Sequence, residues 1–222
     1  MAKAARATRR PGRPRREPAQ PDPDRRAQLC AAALDLFARD GFARVSIKQI
    51  AAGAGVDPAL IYYYFAGKED LFAAAVGHAV ENGYAMFARL AGDGDDPVMT
   101  IAAWLDAQEG PGSTIPKMAR LGLDYRRSGA AIPAVDDALR RFYDEERRML
   151  MRAVRNGLAR GLFRDVAPGP FARFVSTYLD GVLVRTVILD ENGPAAVDRF
   201  RVEVWRRLGL QKPPRRRKFI AD

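Results

Sequence analysis

Residues 46–65 read Ser46-Ile-Lys-Gln-Ile-Ala-Ala-Gly-Ala-Gly-Val-Asp-Pro-Ala-Leu-Ile-Tyr-Tyr-Tyr-Phe65. Ser46 with Gln49 three residues on is a capping box, which predicts a helix beginning at Ile47. Ile47, Ile50 and Ala51 share one face at i, i+3, i+4 spacing, and Ala51 is small where a second helix has to cross closely. Gly55 marks a turn that needs a positive φ, where a Cβ would be strained; Val56 plugs it. Asp57 is placed to cap a second helix, with Pro58 at the first helical position, where its missing N–H costs nothing. Ile61 and Phe65 face inward at i, i+4. Pro58, Ala59, Leu60, Tyr62, Tyr63 and Tyr64 are left to share the outer surface and its margins. Three consecutive tyrosines are costly as packing alone, because each buried hydroxyl needs a partner. This spacing is that of a helix-turn-helix, whose second helix enters the major groove of DNA.

Working outward, almost everything after residue 24 has helical periodicity, and no alternating strand pattern of useful length occurs. A first helix is expected from Asp24 to Arg39, ended by Gly41 as a left-handed cap. After the two short helices, Lys68-Glu69-Asp70 opens a long fourth helix with Phe72, Val76 and Ala79 along its stripe. Further helices are expected over 98–108, 115–127, 133–160, 171–189 and 194–208, with Pro168-Gly-Pro170 as punctuation before the eighth. The fold class is therefore all-α, with about nine helices.

The 222 residues carry a formal charge of +10, and 48% are apolar. The excess charge lies at the ends. Residues 1–26 hold nine Lys and Arg against three acidic residues, and residues 211–222 hold five against one. Residues 27–210 carry no net charge. Such basic, proline-rich tails suit phosphate attraction with counterion release. Within Arg10-Pro-Gly-Arg-Pro14, Arg13 is the candidate for insertion into a narrow minor groove.

Cys30 is the only cysteine and His78 the only histidine. An intrachain disulfide is thereby excluded, and a metal site or a serine-histidine triad has no basis. No cofactor and no enzymatic activity are expected. The acidic pairs Asp136-Asp137 and Glu145-Glu146 read as solvated faces or ion-pair partners. The basic start is followed by no apolar stretch, and no run approaches the roughly 18 apolar residues of a membrane span. The expected location is cytoplasmic, at the nucleoid when bound to DNA.

These residues resemble the TetR family of bacterial transcription regulators. The likeness runs over about residues 24–83 and is carried by Ala33-Leu-Asp-Leu-Phe37, Gly41-Phe42, Ser46-Ile47, Ile50-Ala51, Ala54-Gly55-Val56, Ile61-Tyr62-Tyr63-Tyr64-Phe65 and Gly67-Lys68-Glu69-Asp70-Leu71. Beyond residue 90 it rests on the helical pattern, on Gly161-Leu-Phe-Arg-Asp165 and on Asp180-Gly181. The resemblance implies a basic arm over 1–22 and a DNA-binding domain over 23–83. It implies a C-terminal ligand-binding and dimerisation domain over 84–210 and a basic tail over 211–222. It implies a homodimer that binds double-stranded DNA. Ser46 and Lys48 would lie near phosphates and the groove edge. Pro58, Ala59, Leu60, Tyr63 and Tyr64 would face bases, and Tyr62 and Lys68 would grip phosphates. Leu60 stands where the family often has a small hydroxyl residue, which removes one phosphate hydrogen bond.

For the C-terminal domain, Trp104, Met118, Leu121, Tyr125, Phe142, Tyr143, Met149 and Tyr178 are the candidate pocket residues, suggesting a small apolar or aromatic effector. Residues 171–189 and 194–208 are too apolar for one-sided helices. They are expected to form the dimer bundle through Phe174, Tyr178, Val182, Ile188, Phe200, Val204 and Trp205. A ligand-responsive repressor acting on a near-palindromic operator follows. The competing reading is an architectural protein coating DNA through its tails.

Overall fold

The computed structural model describes residues 22–91, 95–108, 115–189, 193–210 and 214. Arg13, the rest of residues 1–21, and the basic tail apart from Pro214 lie outside the described residues. Within them the chain forms nine helices and no strand: α1 Pro23–Asp40, α2 Ile47–Ala54, α3 Pro58–Tyr64, α4 Lys68–Ala91, α5 Pro97–Ala107, α6 Ile115–Arg127, α7 Pro133–Ala159, α8 Pro168–Leu189 and α9 Gly193–Leu208.

Local chemistry fixes several helix starts. The Asp22 carboxylate accepts the Asp24 amide at 3.0 Å, with Pro23 in the first turn of α1. Asp96 accepts the amides of Val98 and Met99 at 2.8 and 3.2 Å ahead of α5. Helix α8 begins three residues earlier than the sequence suggests. The first-turn amides of a helix lack intrahelical partners, so Pro168 and Pro170 fit inside that turn, and Phe171 already donates to the Ala167 carbonyl at 3.0 Å.

Two apolar cores result. The first gathers Phe37, Ile50, Ile61, Phe65 and Phe72 from α1–α4, and it also takes Leu121 and Tyr125 from α6 and Val135 and Ala138 from α7. The second joins Trp104 and Leu105 of α5, Leu150 and Val154 of α7, Val175 and Leu179 of α8, and Phe200 and Trp205 of α9. Helix α6 is thus bolted to the N-terminal head. Asp124 accepts the Phe42 amide at 2.8 Å, and the Tyr125 ring lies 5.6 Å from that of Phe72. Gly41 permits this approach: its φ is 85°, and a Cβ there would stand 2.8 Å from the Asp124 carboxylate.

A buried ion pair ties α5 to α9. Arg201 Nη2 stands 2.8 Å from Asp106 Oδ1, with the side chains 7% and 3% exposed. Removing one member strands the other charge in the core. Asp106→Ala is expected to cost about 3–5 kcal/mol in urea unfolding. A loss below about 1 kcal/mol, the range of exposed pairs, would show that water screens the site.

Candidate nucleic-acid interface and C-terminal cavities

The turn between α2 and α3 is built by short-range hydrogen bonds. The Ser46 hydroxyl accepts the Gln49 amide at 3.3 Å, while the Gln49 side chain accepts the Ser46 amide at 2.8 Å. Gly55 sits at φ 65°, ψ 35°. A Cβ added there would meet nothing within 4 Å, so the demand for glycine is conformational and not steric. The Val56 amide donates to Ala51 at 3.0 Å, and the Ala59 amide to Asp57 Oδ1 at 2.7 Å.

Helix α3 is only seven residues long, and Ile61 and the following Phe65 anchor it in the core. Every other α3 position has some access to solvent. Tyr62 and Tyr63 are 60% and 52% exposed. Tyr64 is turned aside: its hydroxyl accepts the Asp22 amide at 3.2 Å, and its ring meets Tyr63 edge-on. The outward phenols are therefore two. Ser46, Lys48 and Ala59 are exposed, and Pro58 and Leu60 partly so. Lys68 lies 4.6 Å over the Phe42 ring, and its ammonium donates to the Ala43 carbonyl at 3.3 Å. The sequence reading overlooked Arg26 as a neighbour of this surface; its guanidinium sits 5.0 Å above Phe65, beside the end of α3. The signal available was its place in the first turn of α1, within the basic run.

Comparison with known proteins agrees with this geometry. The family profile described as "Bacterial regulatory proteins, tetR family" matches residues 29–75. The HTH-type transcriptional repressor SCO4008 of Streptomyces coelicolor is 31% identical over 154 residues, covering 68% of this chain and 73% of that protein. The chain belongs to the TetR family. Over 57 residues, 26% of this chain and 29% of the relative, it is 42% identical to the HTH-type transcriptional regulator BetI of Brucella anthropi. The fold agrees with a TetR transcription regulator from Haloarcula marismortui at TM-score 0.71 and 24% identity, over 84% of this chain and 97% of that one. It agrees equally with a regulator from Saccharomonospora viridis solved in complex with choline, at TM-score 0.72 and 21% identity, over 87% and 100%. The chain is accordingly a DNA-binding transcriptional regulator and not an enzyme. Among the described residues no helix is long and apolar enough to cross a membrane, and no acidic, histidine or cysteine cluster could hold a metal ion.

The C-terminal part of this TetR-family regulator distributes the candidate pocket residues over separate places. Met118, Phe142 and Tyr143 line a cleft of about 660 Å³ among α4, α6, α7 and α8. Trp104, Phe142 and Met149 line a small cavity of about 30 Å³, which Glu146 and Gln108 also wall. Leu121 and Tyr125 lie instead in the first core. Tyr178 stacks on Phe200 at 5.1 Å and borders a groove of about 1280 Å³ along α7, α8 and α9.

The candidate dimer residues divide as well. Ile188 is 71% exposed, and Tyr178 is open to solvent, as are Leu189 and Val202. Phe174 and Val182 are half-buried. Phe200, Val204 and Trp205 are buried within the subunit, which corrects their expected role as partner contacts. An apolar stripe at helical spacing has the same form whether it faces its own core or a partner.

Glu146 corrects the sequence reading too. It is 4% exposed, not solvated. It follows Phe142 by one turn and precedes Leu150 by another, so it shares their inward face, while Glu145 points to solvent. Burial lifts its carboxyl to about 7; the nearby Asp180 charge adds to the rise, and hydrogen bonds from Ser176 and Trp104 oppose it. Ser176 Oγ donates to Glu146 Oε2 at 2.5 Å.

A carboxyl raised in the native state binds its proton more tightly folded than unfolded. Its contribution is unimpaired below the unfolded value near 4.5, and stability is then lost as pH rises toward 7. Glu146→Gln should remove that loss, on the order of 3 kcal/mol at full ionisation. Urea melts at pH 5 and pH 8 check it: the variant should gain on wild type at the higher pH. Parallel pH profiles for both proteins would contradict the assignment.

Proposed function

We propose that this regulator is a homodimeric, effector-responsive repressor that reads a near-palindromic operator through the surface formed by α2, α3 and Lys68. The observation that carries the reading is the exposure of Tyr62 and Tyr63 on a helix whose Ile61 is fully buried. That combination fixes the rod and turns its polar edge toward solvent. Base readout falls to Pro58, Ala59, Leu60 and Tyr63, through thymine methyls and a phenol hydroxyl, with Lys48 as the reader of guanine. Tyr62, Lys68 and Ser46 hold phosphates, and Arg26 adds charge at the same edge. Tyr64 serves by bracing α1 against α3. The arm containing Arg13 adds affinity without sequence.

Two copies join through the α8–α9 face, where Tyr178, Ile188, Leu189 and Val202 present apolar surface. Gly181 on that face leaves open space around a notional Cβ, which suits close helix crossing. The pair places its reading helices about 34–36 Å apart. Effector binding among α4–α8 is transmitted along α4 and through α6, whose Asp124 grips the Phe42 amide of the head at 2.8 Å. A small-molecule effector is supported by the choline-bound regulator of the same fold.

Titration of DNA from the region upstream of the coding sequence, against scrambled duplex at physiological salt, tests the reading. Tyr63→Ala should lose about tenfold or more on the operator alone. Lys68→Ala should weaken both duplexes and lower the salt slope by about 1. Equal wild-type affinity for both duplexes would end the proposal. In sedimentation, Ile188→Asp should shift the protein toward monomer and weaken operator binding with it; an intact dimer would place the interface elsewhere.

A further inference from the structure

The small cavity between α4, α5 and α7 holds an unusual pair of acceptors. The Gln108 side-chain nitrogen donates to the Trp104 carbonyl at 3.0 Å. That bond fixes which end of the amide is which, because a carbonyl can only accept. Gln108 Oε1 then points away, is fully buried, and accepts no hydrogen bond from any described residue. Glu146 lines the same cavity. Its carboxylate takes hydrogen bonds from Ser176 and Trp104, but no described cation pairs with it. The remaining walls include the rings of Trp104, Tyr84, Phe87 and Phe142.

A second carboxylate stands near. Asp180 accepts the Tyr143 hydroxyl at 3.2 Å and lines the 660 Å³ cleft. The arginines of that cleft are already engaged: Arg126 with Asp136 at 3.0 Å and Arg140 with Asp137 at 3.0 Å. Two acids without a cation in a largely apolar interior are expensive. A buried acceptor without a donor, negative charge and aromatic faces all favour a cation.

We propose that this site binds the protonated amine of an amphipathic effector, with the ammonium N–H groups donated to Glu146 and Gln108 Oε1. The proposal rests on the effector-responsive reading and specifies its ligand class. An N–H-bearing ammonium is favoured over a quaternary one on two grounds. Gln108 Oε1 needs a donor, which a quaternary nitrogen lacks. The cavity of about 30 Å³ also matches a head the size of one or two waters. The apolar body of the ligand lies in the 660 Å³ cleft, whose lining includes Met118, Leu139 and Leu183. Phe142 is the wall shared by cavity and cleft, so rotation of that ring joins them.

Calorimetric titration of the full-length protein with 2-phenylethylamine, 2-phenylethanol and choline tests the assignment, with operator affinity measured in parallel. The amine should bind at least tenfold tighter than either comparison compound. Glu146→Gln should remove that preference, and Gln108→Leu should weaken the amine severalfold. Glu146→Gln is expected to keep the fold, and a cooperative melt verifies it. Equal binding of amine and alcohol, preference for choline, or full amine binding by Glu146→Gln would overturn the proposal. Release of the operator by 2-phenylethanol without amine preference would overturn it while leaving the effector-responsive regulator standing. Amine binding through Glu146 with unchanged operator affinity would uphold the site and contradict the effector reading.

Discussion

A seven-residue helix has no stability of its own in water. Everything about the DNA-reading surface follows from how α3 is nevertheless held. Its first turn is closed by Asp57 and Pro58, its approach is set by the left-handed turn at Gly55, and its inner edge is pinned by Ile61 and Phe65. Burial of those two side chains supplies several kcal/mol between them, against the entropy of ordering a short segment. The outer residues contribute little to folding, so they are free to be chosen for contact with another molecule.

The same economy links the head to the rest of the chain. Tyr125 and Leu121 of α6 complete the core that holds α3 in place, and Asp124 caps the loop after α1. A displacement of α6 therefore disturbs the packing beneath the reading helix. The 660 Å³ cleft borders the helices that carry this packing, α4, α6 and α7, and shares Ala79, Met118 and Leu139 with the margin of that core. The cavities and the outer face of α3 thus share structural elements, which is the condition for coupling between two sites.

The helices and the helix-turn-helix were legible because local rules determine them. Ser46, Gly55, Asp57 and Pro58 act within four residues of themselves, and the apolar spacing supplies the inward face. The start of α8 was harder, since a proline marks both a break and a first turn. Partner assignment was not legible at all. Phe200, Val204 and Trp205 have the spacing of a buried stripe, and nothing local says whether their cover comes from α5 and α7 or from a second subunit. Nothing local separates Tyr64 from Tyr63; the contact that does comes from Asp22, 42 positions away in sequence. Glu146 looked solvated because its neighbours are charged. Its helical phase, one turn from Phe142, was the signal that located it.

Amide hydrogen exchange of the full-length protein, alone and saturated with duplex from its upstream region, addresses the reading surface most directly. Slowed exchange over residues 46–68, centred on α3, is the expected result. Unchanged exchange across residues 58–64 in the fully bound complex would contradict it.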